Sequence, residues 1–261
     1  MKIWYQTYSP SPKIDPKWRD YSESCERYVP TLARPGTEVH FADTDTRAPK
    51  MILSGYIQYL HVAQVIENAI RAEREGYDAF VIGGMRDLGY RELREVVDIP
   101  VVFIGEASYH AACLLAPKFA IIHSDRHPLL VQTSIVKRYG LQERMATGGH
   151  LGYSQTDLIK AFRNAPQRMV DEIRTAAKIS IEEGAGILVP GFAAISSFLA
   201  EQGIRDIDGV PMLDCQAVAI KTAEMQVDLR RMGMPKPGEG GEDRVSKKDI
   251  ETARRTYGVA K

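Results

Sequence analysis

With 261 residues, 44% hydrophobic and 26% charged, the chain has the composition of a globular protein with room for one large domain or two lobes of about 110–130 residues each. Its 34 basic and 34 acidic side chains cancel, so no excess charge favours nucleic acid or an anionic membrane as a partner. Cys25, Cys113 and Cys215 are odd in number and unpatterned, which argues against a disulfide framework and for a reducing, cytoplasmic setting. No apolar run approaches the roughly 20 residues of a membrane span, and the N-terminus reads as a strand, not a signal peptide.

Lys2 to Thr7 is expected to be the first strand, ending in the polar, Pro-bearing loop Tyr8-Ser9-Pro10-Ser11-Pro12. A helix follows over about Trp18 to Val29, stopped near Pro30. Thr37 to Phe41 is the second strand, with Ala42-Asp43-Thr44-Asp45 as its C-terminal loop. Val62, Val65, Ile66, Ala69 and Ile70 keep helical spacing across Leu60 to Glu75. The apolar run Ala79 to Ile82 then reads as a buried parallel strand and opens into Gly83-Gly84-Met85-Arg86-Asp87. Glycines there let a ligand approach the backbone, and a strand–turn–helix junction of an open α/β sheet is where anions bind. After a further helix comes the strand IPVVFIGEAS, with Glu106 and Ser108 at the next helix start.

The second half repeats this order. Phe119 to Ile122 is a strand ending at His123-Ser124, followed by a helix over about Pro128 to Tyr139 that breaks at Gly140. Met145 to Tyr153 reads as irregular or short-strand chain, and Pro166 to Glu183 as a long helix. EEGAGILVPGF then echoes EREGYDAFVIGG, and VPMLDCQAV echoes IPVVFIGEAS. Helices over Ser196 to Gln202 and Gln216 to Arg231 complete the half. Three matched segments in one order predict an α/β fold of two similar flavodoxin-like lobes with parallel sheets, related by a pseudo-twofold, with a cleft between them. The boundaries expected are 1–115 for the first lobe, completed by part of 210–230, and 116–209 for the second. Residues 232–261 read as a linker and a short helix started by a Ser246–Asp249 capping box, serving packing or contact between copies of a homo-oligomer.

YDAFVI with its small-residue turn, the PVV-x-I-GEA segment and VPMLD-x-x-A-V-A-I-K-x-A-E resemble the aspartate/glutamate/hydantoin racemase superfamily, most closely its hydantoin branch, over about residues 1–225. The resemblance implies a cofactor-independent enzyme whose small-molecule substrate lies between the lobes. It also implies one cysteine after each of the two equivalent strands, one thiolate taking the α-proton and the other thiol returning it from the opposite face. Here those positions are Gly84 and Phe192. Two-cysteine racemisation is thereby excluded, and a lyase or isomerase acting on a small carboxylate, carbonyl or cyclic-amide compound is expected instead.

The residues left for that chemistry stand at strand ends. His123 is the candidate general acid or base, expected to titrate near neutrality, with Glu106 as a second proton carrier. Gln6, Tyr8, Gly83, Gly84, Met85, Arg86, Ser124, Gly191, Phe192 and Ala193 are candidate substrate contacts. Backbone N–H groups after each glycine turn are expected to hold a carboxylate or enolate oxygen, Arg86 either pairs an anion or is a solvated helix-end side chain, and Phe192 either stacks on an unsaturated substrate or fills the cleft floor. Asp45, Tyr56, Tyr59, His61, Asp87, His127 and His150 are weaker candidates. Two rival readings stay open: a metal-assisted hydrolase using His123 and His127, and a non-catalytic binder.

Overall fold

The computed structural model describes residues 1–46, 54–236 and 245–259. Two parallel sheets carry the molecule. In the first, β1 (Lys2–Pro10) lies between β2 (Glu38–Thr44) and β3 (Ala79–Ile82), and β3 pairs with β4 (Val101–Phe103). In the second, β5 (Phe119–His123) lies between β6 (Gly149–His150) and β7 (Ile187–Pro190). A two-stranded antiparallel ribbon, β8 (Asp206–Ile207) with β9 (Val210–Pro211), closes the second half. The apolar runs predicted as β3, β5 and β7 are buried at every position, as strands covered on both faces must be.

The two halves share their strand-and-turn unit. The helices α2 (Gly55–Arg74) and α7 (Pro166–Glu182) both end at a glutamate, Glu75 and Glu183, before a left-handed glycine, Gly76 (φ 78°) and Gly184 (φ 84°). Only glycine takes that conformation without steric cost. The Gly83 N–H donates to the Gln6 carbonyl and the Gly191 N–H to the Ile122 carbonyl, each at 2.8 Å. This places Gly83 and Gly191 at equivalent positions, with Thr7 of the first half answering His123 of the second.

The halves differ after the turn. In the second, α8 (Ala193–Glu201) starts at once. In the first, the chain turns through Met85–Leu88 and α3 (Tyr90–Val96) starts only after Gly89. The remaining helices are α1 (Arg19–Tyr28), α4 (Ile104–Leu115), α5 (Arg126–Arg138), α6 (Gln155–Asn164), α9 (Cys215–Arg231) and α10 (Lys247–Thr256). α9 packs on β3, β4 and α4, so the chain returns from the second half to the first sheet.

Several expectations need correction. Asp43 and Thr44 belong to a strand, because β2 continues alongside β1 as far as Pro10. α2 begins at Gly55, capped by the Ser54 side chain accepting from the Ile57 N–H. α6 occupies a stretch before α7 to which no element had been assigned, and Ser154 caps it by accepting from the Asp157 N–H. The Gly- and Pro-rich linker lies outside the described residues over 237–244. Beyond it, the expected capping box forms between Ser246 and Asp249. α10 buries no residue and is tied to the first half by Lys247–Glu73 (2.8 Å) and Arg254–Glu67 ion pairs. No described helix is long and apolar enough to cross a membrane.

Candidate active site

The C-terminal ends of β1, β3, β5 and β7 converge on a cavity of about 410 Å³, the edge from which parallel sheets present ligand-binding groups. Its first-half wall is Thr7, Tyr8 and Ser9 from β1, with Gly83, Gly84, Met85 and Arg86 from the turn after β3. Both glycines are there because of aromatic rings on β1. A Cβ on Gly83 would lie 2.6 Å from Cζ of Tyr5, and one on Gly84 would lie 2.5 Å from Cε2 of Tyr8. Tyr8 is fixed in place by its hydroxyl, which donates to the Leu88 carbonyl at 2.5 Å. Desolvation pushes its pKa well up, so it is a neutral phenol and no base.

The second-half wall is His123, Pro128, Gln132, Gly191, Phe192 and Ala193. His123 is 2% exposed. Its Nδ1 accepts from the Ser124 N–H at 2.7 Å and lies 2.9 Å from the Ser124 hydroxyl. An Nδ1 that accepts leaves the ring proton on Nε2. Burial first, and then the Arg86 guanidinium, push its pKa down to about 3. The expectation of titration near neutrality is therefore corrected: His123 is a neutral imidazole whose Nε2–H is a hydrogen-bond donor. Ala193 and Ala194 follow at the first turn of α8, whose N–H groups and dipole end favour negative charge.

Phe192 is 7% exposed; its ring stacks on Tyr21 (5.7 Å, 29°) and meets Trp18 edge-on (6.5 Å). One face is thus committed to protein, and the three rings make an apolar side of the cavity. The mouth adds Pro10, Asp15, Lys17, Gln155 and Thr156.

Other candidates lie elsewhere. Glu106 does not face the cavity: its carboxylate is held by Arg94 at 2.5 Å and by the Tyr90 hydroxyl. Gln6 is fully buried and spent on structure, donating to the Thr7 and Ala42 carbonyls and accepting from Trp4 and Asn68. Ser124 is buried behind His123, where it orients the ring. His127 is exposed on the first turn of α5 while His123 is buried at a strand end, so the two do not converge as ligands. Among the described residues no group of three or more His, Cys, Asp or Glu side chains is placed to hold a metal ion. Asp45, Tyr56, Tyr59 and His150 are exposed. His61 is buried, with Nε2 3.0 Å from the Tyr8 carbonyl. Asp87 sits under the first turn at φ 48°, 2% exposed, accepting from the Gly105 N–H (3.0 Å) and the Tyr139 hydroxyl (2.8 Å).

The sequence model described as Asp/Glu/Hydantoin racemase matches residues 19–223. The chain belongs to that family. It is 31% identical over 210 residues to a hydantoin racemase of Pseudomonas sp. (strain NS671), covering 80% of this chain and 81% of that one. It is 30% identical over 188 residues to a hydantoin racemase of Paenarthrobacter aurescens, covering 70% and 76%. In fold it is similar to allantoin racemase from Klebsiella pneumoniae (TM-score 0.74, 21% identity, 94% of this chain and 96% of that one) and to arylmalonate decarboxylase (TM-score 0.53, 14% identity, 95% and 97%).

No cysteine is among the residues that line this cleft. Cys25 and Cys215 are buried away from it, with burial pushing each up to about 12, and Cys113 lies in α4. Neither supplies a thiolate near neutral pH. Sequence reasoning missed Gln132, Trp18, Tyr21, Asp15, Lys17, Gln155 and Thr156. The first three carry helical-face patterns indistinguishable from core, and Gln155 and Thr156 lie on the helix that was overlooked.

Proposed function

We propose that this member of the racemase superfamily acts on a small carboxylate, carbonyl or cyclic-amide compound through an enolate-like anion, without cofactor and without a thiol. The observation that carries the reading is the donor set around one cavity: the neutral Nε2–H of His123, the Arg86 guanidinium and the N–H groups at the start of α8. Donors fixed in a partly dry cleft stabilise charge that develops on a carbonyl oxygen next to the reacting carbon. Desolvation lowers the pKa of Arg86 but leaves it cationic, a strong partner for an anionic group. The apolar side made by Phe192, Tyr21 and Trp18 takes the unsaturated or hydrocarbon part of the substrate.

The same enolate serves two outcomes. Loss of carbon dioxide from a carboxylated carbon leaves its electron pair behind and requires no base, and the enolate then takes a proton from water at the mouth, so the donor-rich cleft suits a lyase directly. Removal and return of an α-proton gives an isomerase, with the proton exchanged through a mouth group such as Asp15 or water.

The test uses heavy water. One enantiomer of a 5-substituted hydantoin and, separately, phenylmalonate are incubated with the enzyme and followed by NMR and circular dichroism. Deuterium entering the α-carbon with loss of optical activity marks the isomerase, and deuterated phenylacetate marks the lyase. Either activity should fall at least about 100-fold in Arg86→Ala. Binding of both compounds without exchange or decarboxylation would show a binder and end the enzymatic reading.

A further inference from the structure

Gln132 is fixed on α5 with 1% of its surface exposed, yet it lines the cavity. Its Nε2 donates to the Gly191 carbonyl, while its Oε1 is buried without a hydrogen-bond partner. Exchanging the two ends of the amide does not resolve this. Oε1 would then oppose the Gly191 carbonyl, acceptor against acceptor, and strand the NH₂ group instead. Buried polar groups are nearly always paired, and an acceptor left unmade in a native structure calls for an explanation.

The surroundings indicate one. A Cβ on Gly191 would lie 2.8 Å from Gln132 Oε1 and 2.6 Å from Cδ2 of His123, the ring carbon bonded to Nε2. Gly191 thus holds an acceptor and a donor edge side by side at the cavity wall, with the Ala193 N–H two residues on as a further donor. An amide in the cis geometry of a lactam, imide or cyclic ureide presents N–H and C=O on one edge, the complement of that pair.

We propose that Gln132 is a specificity-determining residue: its Oε1 accepts a hydrogen bond from an N–H group of the substrate. The inference rests on the reading above in one respect, since it takes the same cleft to hold a ligand whose anionic end faces Arg86. A site built to satisfy a ligand N–H rejects an analogue that lacks it, because the protein acceptor is then buried unpaired.

The experiment is isothermal titration of the full-length protein with three kinds of probe: hydantoin-5-acetate, its two analogues with one ring N–H replaced by CH₂, and phenylmalonate, which has no N–H. For the wild type, at least one CH₂ analogue should bind about tenfold more weakly than the parent, the worth of one good hydrogen bond. In Gln132→Met, similar in size but without an amide, that gap should shrink to within about threefold while phenylmalonate affinity stays within about threefold of wild type. Should Gln132→Met fail to fold, Gln132→Asn, which withdraws the amide by one methylene, takes its place.

Equal binding of the parent and both analogues to the wild type overturns the proposal, as does discrimination that persists in the variant. Equal loss of phenylmalonate and parent in the variant shows a merely structural Gln132 and also overturns it. Arg86-dependent binding of phenylmalonate without N–H discrimination leaves the enolate reading standing and removes this one. No binding of any probe removes both.

Discussion

Asp87 is a buried acid between the two halves, and replacing it with asparagine isolates its effect on stability. Burial is the main cause that raises its pKa from an ordinary carboxylate value to about 7; nearby Glu106 adds to the rise, and the bonds from Tyr139 and the Gly105 N–H oppose it. Below about pH 4 the carboxyl is protonated in both native and unfolded chains, so its ionisation has no effect on stability. Between about pH 4 and 7 the unfolded chain loses the proton and the native one keeps it, so stability falls as pH rises; above 7 the loss is complete. About 3 pH units at 1.36 kcal/mol each gives a loss of about 4 kcal/mol at most. Asparagine tolerates the left-handed backbone at φ 48° and its oxygen still accepts from the Gly105 N–H. Its NH₂ then faces the Tyr139 hydroxyl, which becomes the acceptor. The assay is urea unfolding of wild type and Asp87→Asn from pH 4.5 to 8. His61 and His123, whose pKa values burial lowers, favour the native state increasingly over the same range, so the difference between the two proteins is the readout. That difference should grow in favour of Asp87→Asn by about 2–4 kcal/mol from pH 4.5 to 8. A difference that does not change with pH would refute the reasoning.

Gly84→Ala should destabilise the protein by about 1–3 kcal/mol, because its methyl group meets the Tyr8 ring. In Tyr8→Ala the same change should cost much less, and a double-mutant cycle showing no coupling would contradict the packing described. A protein with Cys25, Cys113 and Cys215 all replaced by alanine should keep turnover within about tenfold, since none lines the cleft; loss of several orders of magnitude in the folded triple variant would restore a thiol to the mechanism. His123→Ala should lower turnover about 100-fold, while His123→Gln, which keeps an N–H at the position of Nε2, should recover most of it. The pH–rate profile should show no limb near neutrality that disappears with His123, and such a limb would refute the neutral-imidazole role.

Much of the architecture was legible because β3 and β7 are short apolar runs closed by a glycine, a pattern that fits strands buried on both faces. Helix ends were harder. α6 carries its own start signal, Ser154 with Asp157, and an apolar stripe of Leu158, Ile159 and Phe162, but it is short and follows closely on a glycine-rich stretch, and it was assigned to no element. At the site, strand ends located the cavity while side-chain direction decided membership. Gln6 and Thr7 are neighbours in the sequence, yet only Thr7 lines the cleft, since the Gln6 amide is held inside the first half by Trp4, Asn68 and the Thr7 and Ala42 carbonyls. Glu106 was misplaced for a related reason. A helix start at a strand end is the right region, but Arg94 and Tyr90, brought over by α3, pull its carboxylate away from the cavity. His123 was located correctly, and its charge state was not. No sequence pattern reports that a ring will be 2% exposed and share its site with a guanidinium.

The absence of both thiols is not a matter of two side chains. The volume beside Gly84 into which any Cβ would project is occupied by the ring of Tyr8, anchored at its hydroxyl to Leu88. Across the cleft, Phe192 is built into a stack with Tyr21 and Trp18, residues supplied by and beside α1. A cysteine placed at position 84 would therefore have to displace an aromatic ring, and one placed at position 192 would leave a gap against two others, a loss bounded by the cost, about 3–5 kcal/mol, of cutting a buried aromatic back to alanine. Both walls are packed around Gly84 and Phe192, and Arg86, His123 and Ala193 line the same cavity. None of the residues that line the cleft is a cysteine, so the proposed stabilisation of a carbon-centred charge falls to the donors there, Arg86, His123 and the start of α8.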